Sequence, residues 1–138
     1  MSNGLLNILL VEDDEVDVMN VKRAFARHHI RNPLFVAGDG VEALEMLRGD
    51  EIPKDRRIVL LDLSMPRMNG IEFLRELRKD PDLSATTVVV LTTSKDDQDK
   101  IDAYNLNVAG YLVKPVTFAN FCDVMVALNK YWSLVEFP

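Results

Sequence analysis

The sequence predicts an α/β fold in which a doubly wound, five-stranded parallel sheet is flanked by five helices. Two observations lead to this prediction: short apolar runs recur along the chain, and segments with apolar residues at helical spacing follow them. Strands that alternate with helices form parallel sheets that are covered on both faces. The 138 residues, 48% of them hydrophobic, suffice for one domain with a sizeable core. We therefore expect residues 1–138 to form a single domain.

Five apolar runs of three or four residues are the predicted strands. Runs this short and this apolar are typical of parallel strands that are buried on both faces. They comprise residues 8–11, 34–37, 58–61, 88–91 and 111–113.

The segments between and after these runs are the predicted helices, and several have residues typical of helix ends. Asp39 and Gly40 open the second helix, and Asp80-Pro81 ends the third. Thr93 or Ser94 is the expected N-cap of the fourth helix, which should be the most exposed because most of its positions are polar. The predicted helices comprise residues 14–27, 41–47, 71–78, 95–104 and 117–134.

Polar side chains follow four of the five predicted strands at their carboxyl ends. Parallel sheets of this kind bind ligands beyond those ends, so the side chains should meet at one edge of the sheet. The residues are Glu12, Asp13 and Asp14 after the first strand, Asp62 after the third, Thr92 after the fourth and Lys114 after the fifth.

These residue types together suit phosphoryl transfer. Clustered carboxylates repel one another and need a compensating cation, for which Mg²⁺ is the natural candidate because it prefers oxygen ligands. Calcium fits less well, since the twelve-residue calcium-loop spacing is absent. A carboxylate beside Mg²⁺ can attack a phosphoryl group and form an aspartyl phosphate. A lysine would neutralise the phosphoryl oxygens, and a hydroxyl group could bond one of them.

Four segments of the chain resemble the response-regulator receiver family, whose members have a flavodoxin-like fold. The segments are ILLVEDD at 8–14, LLDLSMPRMNGIEFLRELR at 60–78, VVVLTTS at 88–94 and GYLVKP at 110–115. The second is highly specific, because its aspartate is followed four residues later by proline and eight residues later by glycine. The resemblance covers nearly the whole chain.

The resemblance implies roles for the residues that match the motifs. Asp62 is then the phosphoacceptor, while Glu12 and Asp13 are the acidic pair that holds Mg²⁺. The backbone carbonyl of Ser64 is a further metal ligand. Asp14 lies one place beyond the pair, so we expect it to be secondary.

Further roles follow from the segments after the fourth and fifth strands. The resemblance makes Thr92 the switch hydroxyl, Tyr111 the aromatic side chain coupled to it, and Lys114 the phosphate-binding lysine. Thr93 departs from the commonest pattern, because the family usually has alanine or glycine there. We expect its additional methyl group to slow hydrolysis of the phosphorylated form.

The function implied by the resemblance is that of a single-domain response regulator in a two-component phosphorelay. Such a protein takes a phosphoryl group from a histidine kinase and changes conformation at the face of helix four, strand five and helix five. It catalyses only its own phosphorylation and dephosphorylation, so it is not an enzyme for an outside substrate.

A finer resemblance concerns the partners. LTTS at 91–94, KPVTFANF at 114–121 and YW at 131–132 are similar to the small regulators that partner bacterial phytochrome histidine kinases. The resemblance implies a homodimer through the face of helix four, strand five and helix five. Residues 130–138 form an apolar extension after the usual end of a receiver, which we expect to contribute to that interface.

Composition argues against other partners. The net charge of -6 argues against nucleic acid, and no DNA-binding module is expected after the receiver. Neither a signal peptide nor an apolar run long enough to cross a membrane is present, which predicts a cytoplasmic protein. The single cysteine rules out a disulfide within the chain.

Three alternatives share parts of this pattern. Phosphatases of the haloacid-dehalogenase type carry a second aspartate two residues after the nucleophile, where this chain has Ser64. Pseudo-receivers usually lose an acidic residue or the lysine, whereas this chain keeps them all. A nucleotide-binding flavodoxin-like protein would have a phosphate loop after the first strand, and here that position is acidic.

Overall fold

The structure, a computed structural model, describes residues 5–65, 68–93, 95–113, 123, 126–127 and 130. The strands are β1 (Asn7–Val11), β2 (Leu34–Ala37), β3 (Arg57–Leu61), β4 (Thr87–Thr92) and β5 (Gly110–Val113). They form one parallel sheet in the order β2-β1-β3-β4-β5. The predicted doubly wound parallel sheet is confirmed, and each strand end lies within one residue of its prediction.

Four helices lie within the described residues, each within two residues of its predicted ends. They are α1 (Glu15–Arg27), α2 (Gly40–Arg48), α3 (Gly70–Lys79) and α4 (Asp97–Asn105). The fifth predicted helix, at 117–134, lies mostly outside the described residues. Within that range the structure describes residues 123, 126, 127 and 130, and these are helical. None of the described helices combines the length and the apolar character that crossing a membrane requires.

The three central strands β1, β3 and β4 are buried because each face of the sheet packs against helices, whereas the edge strands β2 and β5 are mostly half-buried. Leu9 and Val11 of β1 belong to the core cluster that includes Leu74 of α3, whereas Ile8 and Leu10 belong to the cluster that includes side chains of α1. This division follows from the alternation of side chains along a strand. It places α1 on one face of the sheet and α2, α3 and α4 on the other.

Acidic or amide side chains begin the helices. Asp39 caps α2 by accepting a hydrogen bond from the backbone N–H of Glu42 at 2.9 Å, as the Asp39-Gly40 pair predicts. Asn69 caps α3 in a reciprocal capping box with Glu72. The expectation for α4 was wrong, because its cap is Asp96, which accepts from Gln98 N at 2.7 Å and Asp99 N at 3.4 Å.

The cap of α4 is displaced because the helix begins at Asp97, later than the sequence suggests. A capping oxygen has to reach the backbone N–H groups of the second and third helical residues. Asp96 meets this requirement and Thr93 lies too early in the chain, while Ser94 is outside the described residues.

The prediction that α4 is the most exposed helix is confirmed among the four. Ala103 is its one buried residue, whereas three or four residues are buried in each of the others. Two large apolar side chains one turn apart on α4 remain accessible, Ile101 at 52% and Tyr104 at 49%. Little apolar burial therefore holds α4 on the sheet.

Arg78 joins the end of α4 to the rest of the domain. Its guanidinium donates to the backbone carbonyls of Leu106 at 2.7 Å and Asn107 at 3.0 Å, just after α4. It also donates to the carbonyls of Ser84 at 2.8 Å and Thr86 at 2.7 Å, in the segment before β4. One side chain thus cross-links two loops that are 20 residues or more apart in the sequence.

Candidate functional site

Three carboxylates meet where β1 and β3 end. Glu12 and Asp13 follow β1 directly, and Asp62 follows β3, which pairs with β1 in parallel register. The ladder continues beyond the strands, since Glu12 N donates to Ala37 O and Asp62 N donates to Val11 O, both at 3.0 Å. These bonds fix both backbones at the same edge of the sheet. One carboxylate oxygen from each acidic residue lies within 4.8 Å of the other two.

The burial of these groups makes their mutual repulsion costly. Glu12 is 4% exposed and Asp62 is 7% exposed, whereas Asp13 faces solvent. Backbone N–H groups donate to two of them, Asp14 N to Glu12 Oε1 at 3.2 Å and Ser64 N to Asp62 Oδ1 at 3.3 Å. Neutral donors offset only part of the repulsion between three carboxylates. The oxygen ligands and their spacing fit a hard divalent cation such as Mg²⁺ or Mn²⁺.

Asp14 does not join this cluster. It is the N-cap of α1, and its side chain accepts hydrogen bonds from Val16 N at 2.9 Å and Asp17 N at 3.3 Å. Of the acidic residues 12–14, two therefore lie in the cluster and the third caps the helix.

Thr92 ends β4, the strand next to β3, and its side chain is completely buried. Thr93, one residue later, is exposed. Tyr111 lies in β5, where it is half-buried and packs against the core cluster on the α3 side of the sheet. Lys114 lies outside the described residues. The structure thus brings Glu12, Asp13 and Asp62 together and places Thr92 at the adjacent strand end.

An open cleft of about 440 Å³ lies beside the carboxylates. Asp13, Ser64, Asn69 and Asp99 contribute its polar wall, together with three apolar side chains from the segment around α3. Asn69 and Asp99 are not among the site residues predicted from the sequence. The N-x-x-E pattern at 69–72 would have identified Asn69 as a helix cap, but nothing in the sequence places Asp99 of α4 opposite Asp13.

Residues 8–125 match the family described as the response regulator receiver domain. The chain belongs to this family. Receivers are signalling regulators of two-component systems, and the acidic cluster in this receiver corresponds to the site at which the family binds Mg²⁺.

Relatives of this receiver match it along most of their own length. It is 38% identical over 130 residues to the probable methanogenesis regulatory protein FilR2 of Methanothrix harundinacea, covering 91% of this chain and 82% of the relative. It is 34% identical over 134 residues to response regulator Rcp1 of Synechocystis sp., covering 95% and 91% respectively.

Solved structures of such regulators superpose on this receiver along nearly their whole length. The phosphorylated cyanobacterial phytochrome response regulator RcpA has a TM-score of 0.78 at 31% identity, covering 97% of this chain and 99% of RcpA. The Mn²⁺-bound form of Rcp1 has a TM-score of 0.76 at 33% identity, covering 96% and 99%. The predicted resemblance to phytochrome response regulators is therefore confirmed.

Proposed function

We propose that this receiver accepts a phosphoryl group on Asp62 from a histidine kinase in a Mg²⁺-dependent reaction. The observation that supports the proposal most directly is the approach of the Glu12, Asp13 and Asp62 carboxylate oxygens to within 4.8 Å of one another. Three acidic groups at this distance are stabilised by a divalent cation, and phosphoryl transfer needs such a cation. The Mn²⁺-bound form of the relative Rcp1 supports the choice of a divalent metal.

In the proposed reaction, a carboxylate oxygen of Asp62 forms a bond to phosphorus while the bond from phosphorus to the imidazole nitrogen of the kinase breaks. The electron pair of the broken bond returns to the imidazole. When bound, Mg²⁺ supplies positive charge beside the phosphoryl oxygens and holds them for in-line transfer. Glu12, Asp13, Asp62 and the backbone carbonyl of Ser64 would hold the ion, and Lys114 would neutralise another phosphoryl oxygen.

The response to phosphorylation would begin at Thr92, whose hydroxyl would donate a hydrogen bond to a phosphoryl oxygen. Thr92 is completely buried at the end of β4, so its movement would change the packing around it, and we expect Tyr111 of the adjacent strand β5 to respond. With only Ala103 buried, α4 has little apolar contact to oppose a shift in its position. The face formed by α4, β5 and the predicted fifth helix would therefore report the phosphorylated state.

The proposed partners are a kinase of the bacterial phytochrome type and a second copy of the chain. The first rests on the likeness to RcpA, a phytochrome response regulator. The second rests on the exposed apolar side chains Ile101 and Tyr104 of α4 and Val126, which is 44% exposed, together with the apolar extension at 130–138. Removing the residues after Asn129 should shift the molecular mass measured by light scattering towards the monomer, and a truncated chain that still dimerises would contradict this interface.

Intact-mass spectrometry after incubation with acetyl phosphate tests the phosphorylation. The wild-type protein should gain one phosphoryl group in the presence of Mg²⁺ and none after chelation, and Asp62→Asn should gain none. A protein that gains no phosphoryl group under any of these conditions would instead be a pseudo-receiver.

Asp13→Asn and Asp14→Asn form a matched pair, because both remove one charge from adjacent positions. Asn replaces Asp well as a helix cap, so Asp14→Asn should keep its Mg²⁺ affinity. Asp13→Asn should weaken Mg²⁺ binding by roughly tenfold or more, since it removes one of three charged ligands. Equal affinities for the two variants would refute the assignment of Asp13 to the metal.

A further inference from the structure

A small cavity lies at the end of the sheet opposite Asp62, where β3 and β4 begin. Its volume is about 80 Å³. Lys54, Arg56 and Arg57 line one side, and the other side is lined by the segment that ends at Thr86 and by Thr87, the first residue of β4. Five residues of extended chain, about 16 Å, separate Arg57 from Asp62. The cavity is therefore distinct from the acidic cluster, and its properties do not depend on the function proposed for that cluster.

The charge of this cavity is opposite to that of the protein. The chain has a net charge of -6, but among the residues that the structure describes three cationic side chains and a single carboxylate, Asp82, line the cavity. Within the described part of the chain, Lys54 and Arg57 form no ion pair with Asp82 or with another carboxylate. Cations held close together repel one another, and an anion between them would relieve that repulsion.

Most N–H donors of the Arg57 guanidinium make no hydrogen bond to a described residue. Within the described residues its side chain makes one hydrogen bond, from Nη1 to the carbonyl oxygen of Leu47 at 3.3 Å. A guanidinium carries five N–H donors in a planar fork that suits two oxygens of one anion. Burial lowers the pKa of Arg57, because desolvation disfavours its charged form. A bound anion would offset that cost.

An unusual backbone conformation at Arg56 places its side chain beside that of Arg57. Arg56 has a φ of 48°, in the left-handed region that non-glycine residues rarely adopt. Among the described residues two other non-glycine residues have a positive φ, His29 and Asn107; they follow the ends of α1 and α4, where this conformation is common, whereas Arg56 precedes a strand. Adjacent side chains of an extended chain point to opposite sides. The turn at Arg56 allows both it and Arg57 to line one cavity.

The opposite wall is held in place before any ligand binds. Nη1 of Arg78 donates to the carbonyl oxygens of Ser84 and Thr86, at 2.8 and 2.7 Å. Thr86 N in turn donates to Leu83 O at 3.0 Å. A rigid wall loses little conformational entropy on binding, which favours affinity for a small ligand.

We propose that this cavity binds a tetrahedral oxyanion of the phosphate class. Lys54, Arg56 and Arg57 would neutralise its charge, and a hydroxyl group of the Thr86–Thr87 pair would donate a hydrogen bond to one of its oxygens. The volume of about 80 Å³ is larger than the volume that two water molecules occupy in the liquid, about 60 Å³. The cavity can therefore hold one phosphoryl group but not a nucleoside. The remainder of a phosphate ester would extend into solvent.

Titration with inorganic phosphate, followed by backbone amide NMR at constant ionic strength and without Mg²⁺, tests this site. The amide signals of residues 54–57 and 85–87 should shift and saturate. The exposed Lys54 can be changed without loss of packing, and Lys54→Gln should weaken phosphate binding roughly threefold. The double variant Lys54→Gln/Arg57→Gln should weaken it by about tenfold or more.

Lys22→Gln is the matched control, because Lys22 is exposed on α1 and its replacement changes the net charge equally. Its affinity should equal that of the wild type. Shifts that grow linearly without saturating, or equal weakening in Lys22→Gln and Lys54→Gln, would overturn the proposal. A parallel titration with adenosine monophosphate distinguishes the sources: tighter binding than phosphate identifies an ester as the ligand, and equal or weaker binding identifies free phosphate.

Discussion

Gly70 lies against the backbone carbonyl of Asp62 so closely that a Cβ atom at residue 70 would be 2.7 Å from that oxygen. The same Cβ would be 2.6 Å from Cα of Leu63, and Gly70 N donates to Leu63 O at 2.9 Å. Real Cβ atoms essentially never come this close to backbone atoms. The first turn of α3 can therefore reach the loop that carries Asp62 only because residue 70 has no side chain.

Gly70→Ala should destabilise the domain by about 1–3 kcal/mol, because the clash is with backbone atoms that cannot rotate away. The loop displacement should also slow phosphorylation of Asp62 by acetyl phosphate. Urea unfolding measures the first effect and intact mass the second. Gly110→Ala is the control, since its Cβ would be 3.9 Å from the nearest atom, Val89 Cγ1. A Gly70→Ala protein as stable as the wild type would disprove the close approach.

Arg78→Lys should lower the free energy of unfolding by about 2 kcal/mol or more, since lysine cannot satisfy four carbonyl oxygens that are arranged around a guanidinium. The loss of these hydrogen bonds should appear as faster hydrogen exchange at residues 104–108, where Arg78 holds the end of α4. The control is Arg75→Lys on the same helix, because Arg75 is exposed and its side chain bonds to no described residue. Equal exchange rates in the two variants would show that Arg78 does not hold α4.

Asp80→Asn should remove part of the acid sensitivity of folding. The hydrogen bond from Arg48 Nε to Asp80 Oδ2 at 3.0 Å lowers the pKa of Asp80, with a further contribution from the backbone N–H of Asp82. A carboxyl whose pKa is lower in the folded state stabilises the protein above its unfolded pKa, and this stabilisation disappears as the pH falls through the folded value. The wild type should thus exceed Asp80→Asn in stability at neutral pH.

The difference between the two proteins should shrink below about pH 4, where the unfolded carboxyl takes up its proton. Urea midpoints measured over a pH series give the comparison. Asp50→Asn is the control, since Asp50 is exposed and forms no ion pair with a described residue. If the difference in urea midpoint between the wild type and Asp80→Asn stays constant down to acidic pH, that result would contradict this role of Arg48.

The central strands were predictable because burial on both faces selects an unbroken apolar run in the sequence. The run before Asp62, in β3, is completely apolar at residues 58–61 and buried throughout. The position of the acidic cluster followed from one rule of parallel sheets, that ligand sites lie beyond the carboxyl ends of strands. Local pattern and topology together thus suffice to bring Glu12, Asp13 and Asp62 to one edge.

Features that depend on the path of a loop or on tertiary contact were not predictable. Residues 92–94 and 96 are all able to cap a helix, and the choice of Asp96 depends on how far the chain travels after β4 before it turns. The part played by Arg78 depends on carbonyl groups of residues 84, 86, 106 and 107, which only the folded chain brings together. Likewise, the rotation of α4 about its axis decides that Asp99 faces the cleft beside Asp13.

Thr93→Ala should shorten the lifetime of the phosphorylated protein. Thr93 is exposed directly after the buried Thr92, in the position where receivers usually have a smaller residue. We expect its methyl group to restrict the approach of water to the phosphoryl group, so its loss should speed decay roughly threefold, equivalent to about 0.6 kcal/mol in the barrier. Thr93→Val keeps the bulk and should decay like the wild type, while Thr93→Ser loses only the methyl group and should decay faster. Intact mass after removal of the phosphodonor gives the three rates, and an unchanged rate in Thr93→Ala would refute the steric explanation.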